Sequence, residues 1–146
     1  MIRELTVEEL PLIFPIGKHF WAESDLPGSF IEEEFMKSWT AFIGAGAGTI
    51  FGAFDERGNF TGALACLVYR DLNDGKQVSM EAFWYVFKEH RGQGVRLLKH
   101  YEEWAKAKGI SRVAMGFLHS IHPEKMADLY KRLGYRILET IYVKDL

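Results

Sequence analysis

Four groups of residues in this chain of 146 could do chemistry. The first is Arg91-Gly92-Gln93-Gly94-Val95-Arg96, which follows an apolar run and opens a helical one. A strand that enters a helix through a glycine turn is a device for holding an anion. The first helical N–H groups lack partners inside the helix, and the helix dipole places roughly half a positive charge there. Gly92 and Gly94 let a phosphate approach the backbone, and Arg91 adds a cation. The second is Glu81, a carboxylate in a run otherwise rich in Phe, Trp and Val. Burial would raise its pKa into the range of a general base, whereas a solvated face would leave it an ordinary strand carboxylate. The third is His119, a second base candidate or a plain loop residue. The fourth is Tyr130 on an apolar helical stripe, either a proton donor or a core tyrosine.

The elements that must position these groups read as follows. Met1 to Leu5 is a short strand. Thr6 and Glu9 have capping-box spacing, so a helix runs on through Leu10, Ile13, Phe14 and Phe20, with Pro15 as a kink. Asp25 to Gly28 is a loop, and Ser29 with Glu32 forms a second capping box. The alternating Gly44, Gly46 and Gly48 precede a strand, so they make a flexible connection and no phosphate loop. Thr49–Phe54, Phe60–Tyr69 and Gln77–Phe87 are strands joined by turns at 55–59 and 71–76, an antiparallel meander. Leu97, Leu98, Tyr101, Trp104 and Ala105 recur at helical spacing, and Gly109 ends that helix. Arg112 to Leu118 reads as a buried strand, parallel to its predecessor because a helix separates them. Pro123 starts a last helix whose buried face holds Met126, Leu129, Tyr130 and Leu133. Tyr135 to Val143 reads as a closing strand. The expectation is one mixed α/β (α+β) domain over residues 1–146.

Composition narrows the function. Hydrophobic residues make up 48% of the chain and aromatic residues 14%, so it can bury a core. A net charge of −2 argues against broad electrostatic binding to nucleic acid. The single cysteine, Cys66, forms no intramolecular disulfide. The opening MIRELTVEEL is charged and unlike a signal peptide, and no apolar run approaches a membrane span. A cytoplasmic setting is expected. A dinucleotide fold fails, because no third glycine follows and the upstream strands are hairpins. No Gly-Lys-Ser/Thr closes a nucleotide loop, and no HExxH or CxxC supports a metal.

Arg91-Gly92-Gln93-Gly94-Val95-Arg96 resembles the signature of the GNAT family of acyl-CoA-dependent N-acyltransferases: Gln or Arg, two residues, Gly, one residue, then Gly or Ala. Arg96 departs from the last position. Leu129-Tyr130-Lys131-Arg132-Leu133-Gly134-Tyr135 is similar to the family's second block, a tyrosine on the last helix followed by Gly and an aromatic. The likeness covers roughly Gly48 to Val143, and the run Gly94 to Leu98 is similar to one in some phage-encoded members.

The resemblance implies a mixed sheet of about six to seven strands flanked by about four helices. It implies acetyl-CoA as co-substrate, no metal, and transfer of the acyl group to a small-molecule or peptide amine by direct attack. The pyrophosphate would lie on Arg91, Gly92, Gln93, Gly94, Val95 and Arg96. The pantetheine arm would lie along Tyr85, Val86 and Phe87, where the strand splays from its parallel neighbour. Tyr130 would protonate the leaving thiolate, and backbone N–H groups of the central strand would face the oxyanion. Glu81, His119 or water would take the amine proton. Glu23, Asp25, Glu32, Glu33 and Glu34 hint at a cationic acceptor, although acids favour the first turn of a helix anyway. A homodimer is left open. Two other readings compete: a non-catalytic acyl-CoA-binding or interaction module, favoured by Arg96, and an accessory protein acting on nucleic acid.

Overall fold

The computed structural model describes residues 1–146. A five-stranded sheet runs in the order β1 (Ile2–Glu4), β2 (Gly48–Phe54), β3 (Phe60–Arg70), β4 (Gln77–Val86), β5 (Arg112–Ala114). The first three pairings are antiparallel and β4–β5 is parallel. The helices are α1 (Phe14–Glu23), α2 (Glu32–Gly44), α3 (Gly94–Ala107) and α4 (Pro123–Arg132). No helix is long and apolar enough to cross a membrane.

Strand alternation divides the core in two. Ile50, Ala63 and Ala65 point to one face, where Leu10, Ile13, Ile16 and Trp39 cover them. Phe51, Leu64 and Cys66 point to the other, under Leu97, Leu98 and Tyr101 of α3 and Tyr130 of α4. Tyr101 is fully buried, and its hydroxyl donates to Ser79 Oγ at 2.7 Å. The hairpin turns fall where Gly58 and Gly75 supply positive φ, 82° and 72°.

Several expectations need correction. The N-terminal helix begins as a 3-10 segment, Val7–Ile13, with Glu9 accepting from the Thr6 N–H at 3.0 Å. Pro15 sits in the first turn of α1, where its missing N–H is no loss, so it makes no kink. Ser29 caps nothing; α2 starts at Glu32, with three glutamates at its positive end. The parallel strand stops at Ala114, because Gly116 turns its backbone to side-chain partners. Residues 135–143 form no strand, so the sheet has five strands and not six or seven.

Candidate active site

Glu81 owes its position to a bulge. Ala65 pairs with Phe83 and Cys66 with Glu81, so Ala82 is skipped. The extra residue reverses the alternation of β4. Phe83, Tyr85 and Phe87 pack with the α1–α2 cluster. Glu81 shares the Cys66 face, beneath α3 and α4. Just beyond, the sheet opens: β4 and β5 pair only from Val78↔Arg112 to Met80↔Ala114. Residues 81–86 of β4 therefore have no ladder partner on that side.

Gly116 stands in the gap and joins the two candidate catalytic side chains. Its N–H donates to Glu81 Oε2 at 3.1 Å. Its carbonyl accepts from the Tyr130 hydroxyl at 2.6 Å. Glu81 as a residue retains some exposure, but its carboxylate is packed inside. Burial pushes it up to about 7, and the Gly116 N–H opposes that rise without cancelling it. Tyr130 is 7% exposed. Burial drives its phenol well above the ordinary value, with the Glu81 charge adding to the rise. A carboxylate poised at neutral pH and a phenol that keeps its proton thus share one glycine. Nothing in the sequence marked Gly116 for this part, because both bonds are tertiary.

His119 is exposed in the turn after Leu118, its ring 5.7 Å from that of Phe117. No hydrogen bond ties it to Glu81 or Tyr130. Phe117 in turn lies 6.2 Å from Tyr130. Nearby, Ser120 donates to Asp25 Oδ1 at 2.6 Å and links the α1–α2 loop to the β5–α4 loop. That link joins two loops far apart in sequence, and no motif announces it.

The anion-binding candidates are arranged less simply than their motif. Lys88–Gln93 is a 3-10 helix running directly into α3. Its turns use N–H groups expected to be free: the Gly94 N–H bonds Arg91 O. Arg91 is exposed and has no ion-pair partner, and Gly92 faces open space. Gln93 is turned inward, its Oε1 accepting from Thr61 Oγ1 at 3.0 Å. Gly94 is buried, and a Cβ there would stand 3.2 Å from the Trp84 ring, so a side chain would press on the indole. Val95 is half-buried. Arg96 lines a groove with Ile2, His100 and Glu103 on the outer side of α3, so its side chain points elsewhere. Tyr85 lies beside Phe20 and Phe87. Burial raises its phenol, Glu23 adds to the rise, and Arg91 opposes it. Val86 is buried and Phe87 half-buried. No cluster of His, Cys, Asp and Glu able to hold a metal ion occurs.

Solved structures share the fold over nearly the whole chain at low identity. A ribosomal-protein-alanine N-acetyltransferase from Brucella melitensis biovar Abortus 2308 has 18% identity and a TM-score of 0.73, over 100% of this chain and 99% of its own. Glucosamine-6-phosphate N-acetyltransferase from Arabidopsis thaliana has 16% and 0.74, over 99% and 97%. A predicted acetyltransferase from Clostridium acetobutylicum, solved with acetyl-CoA, has 14% and 0.78, over 99% and 95%. No curated protein sequence matches the chain. The family model for the acetyltransferase (GNAT) family matches residues 15–135. The chain belongs to the acetyltransferase (GNAT) family.

Proposed function

We propose that the protein transfers an acetyl group from acetyl-CoA to a primary amine, with Glu81 as general base and Tyr130 as donor to the leaving sulfur. The observation that carries this is the meeting of Glu81 and Tyr130 at Gly116, where β4 and β5 part. The fit of the co-substrate rests on three features. Residues 81–86 of β4 offer backbone groups without a strand partner on the β5 side. Arg91 is exposed without an ion pair, and Gly92 faces open space. Tyr85, Val86 and Phe87 would line the arm, and Arg91 with the backbone from Gly92 to Arg96 would hold the pyrophosphate.

Acetyl-CoA supplies the thioester whose C–S bond breaks as the C–N bond forms. The chain's residues do the rest. A lysine-like amine is neutral only about once in 10³ molecules at pH 7, so its proton must be taken. Glu81, at about 7, is half ionised there and is matched to that task. Tyr130 keeps its proton, and its hydroxyl exchanges the Gly116 carbonyl for the sulfur as negative charge develops. Glu23 at the end of α1 and Asp25 in the α1–α2 loop, which meets the β5–α4 loop at Ser120, suit a cationic acceptor. The amines named for the Brucella and Arabidopsis structures differ, which leaves the acceptor here to experiment.

Calorimetric titration with acetyl-CoA tests the co-substrate. Binding the folded state alone stabilises it by about 2.7 kcal/mol at a hundred times Kd. A melting transition unmoved by millimolar acetyl-CoA or CoA would remove the assignment.

A further inference from the structure

Thr61 sits where β3 departs from its register. Ala53 pairs with Gly62 and Phe54 with Phe60, so Thr61 is left over between them. A bulged residue is free to aim its side chain away from the ladder. Thr61 is 1% exposed, and its hydroxyl meets two oxygens in place of water. It lies 3.1 Å from Ala53 O and 3.0 Å from Gln93 Oε1, and its one hydrogen is shared between them. Its main-chain carbonyl is engaged as well, accepting from the Phe87 N–H at 3.0 Å.

Phe87 and Gln93 are the two ends of one turn. Phe87 precedes the 3-10 segment Lys88–Gln93, and α3 starts directly after Gln93. Thr61 therefore holds the turn at its entry through the backbone and at its exit through the side chain. Little else fixes the turn between these points, for none of its residues is buried. Its backbone bonds are local, as in His90 N–H to Phe87 O at 2.9 Å and Gly94 N–H to Arg91 O. The strand behind the clamp is firm. A Cβ on Gly62 would stand 2.7 Å from Tyr85 O, so β3 and β4 are in close contact at this end.

We infer that Thr61 is a positioning residue for acetyl-CoA: it fixes the turn that sets Arg91 and the Gly92 backbone against the pyrophosphate. The inference rests on the pyrophosphate reading of that turn. Thr61 is buried behind the turn and acts on the cofactor only through it. Without the hydroxyl the exit of the turn is loose, and the cofactor must order it on binding. The loss falls on affinity and not on the chemistry at Glu81 and Tyr130.

Calorimetric titration with CoA reads this. Thr61→Val keeps the shape of the side chain and removes the hydroxyl. Its dissociation constant is expected to rise by roughly 3–10-fold, the worth of one neutral hydrogen bond. Thr61→Ser keeps the hydroxyl and is expected to bind as the wild type does. The double variant Arg91→Ala/Thr61→Val is expected to bind within about twofold of Arg91→Ala alone, because the position of the turn counts chiefly through its arginine. General damage to the fold would weaken binding in both backgrounds alike. Gln93→Met removes the same bond from its half-buried end and is expected to reproduce the loss, so the test stands even where Thr61→Val fails to fold. Wild-type affinity in Thr61→Val or Gln93→Met overturns the inference and leaves the pyrophosphate site in place. So do additive losses with Arg91→Ala, or a Thr61→Ser variant as weak as Thr61→Val. Wild-type affinity in Arg91→Ala removes the pyrophosphate reading, and the inference with it.

Discussion

Glu81→Gln separates burial from catalysis in one substitution. Glutamine keeps the length of the side chain and an oxygen for the Gly116 N–H, 3.1 Å away in the wild type. It removes only the ionisation. Burial raises the Glu81 carboxyl from its ordinary 4.5 to about 7. That difference corresponds to about 3 kcal/mol, an upper figure because the residue keeps some contact with water. Below about pH 4.5 the carboxyl is protonated in both folded and unfolded chains, and its favourable contribution is complete. Between 4.5 and about 7 the unfolded chain ionises and the folded one resists, so the wild type loses stability as pH rises. The variant has nothing to ionise. It is expected to match the wild type at pH 4 and to exceed it by up to about 3 kcal/mol at pH 8. Urea unfolding at pH 4, 6 and 8 measures this. In the same variant turnover is expected to fall by roughly 10²–10⁴-fold. The wild type's rise in kcat/KM through about pH 7 is expected to vanish. A variant whose stability advantage does not grow with pH refutes the burial argument. A stabilised variant with wild-type turnover keeps the burial and removes the base.

Tyr130→Phe keeps the ring among Trp84, Phe117 and Tyr135 and deletes the bond to Gly116 O. Stability is expected to fall by about 1 kcal/mol and the single-turnover rate by roughly 10–10³-fold; wild-type single-turnover rates would leave water as the donor. Arg91→Ala is expected to weaken CoA binding by roughly 10–100-fold, the range of a charge-assisted hydrogen bond. Gly92→Asp is expected to weaken it too, by setting a like charge beside the pyrophosphate; calorimetry showing both affinities unchanged moves the phosphate site elsewhere. Gly62→Ala is expected to cost about 1–3 kcal/mol in chemical denaturation, because its Cβ would sit 2.7 Å from Tyr85 O and 2.8 Å from Val86 Cα. A neutral result there would mean that β3 and β4 separate more readily than their register implies.

The parts of the fold that were legible in the sequence are those fixed by local rules. The meander was readable because Asp55 to Asn59 and Asn73-Asp74-Gly75 are turn chemistry between apolar runs. The faces of α3 and α4 were readable because Leu97, Leu98, Tyr101 and Tyr130 keep helical spacing. What was not legible depends on contacts distant in sequence. Arg112 to Leu118 reads as one apolar strand, yet it stops at Ala114 because Glu81 and Tyr130 engage Gly116. The Ala82 bulge leaves no mark in Met80-Glu81-Ala82-Phe83, although it decides which face Glu81 occupies. By sequence the motif Arg91-Gly92-Gln93-Gly94 reads as one anion cradle. The structure divides its residues between an open arginine, an inward glutamine and a glycine packed on Trp84. Residues 135–143 carry a strand's pattern, but the β5 edge that would pair with them is not used within the chain.

The central claim is that Glu81 and Tyr130, joined at Gly116, move an acetyl group to an amine. Release of free thiol from acetyl-CoA, followed across a panel of primary amines with wild type and Glu81→Gln side by side, tests it most directly. The account predicts amine-dependent release by the wild type that collapses at least 100-fold in the variant while acetyl-CoA affinity is retained. Tight acetyl-CoA binding with no release on any amine, or equal release by both proteins, would contradict it.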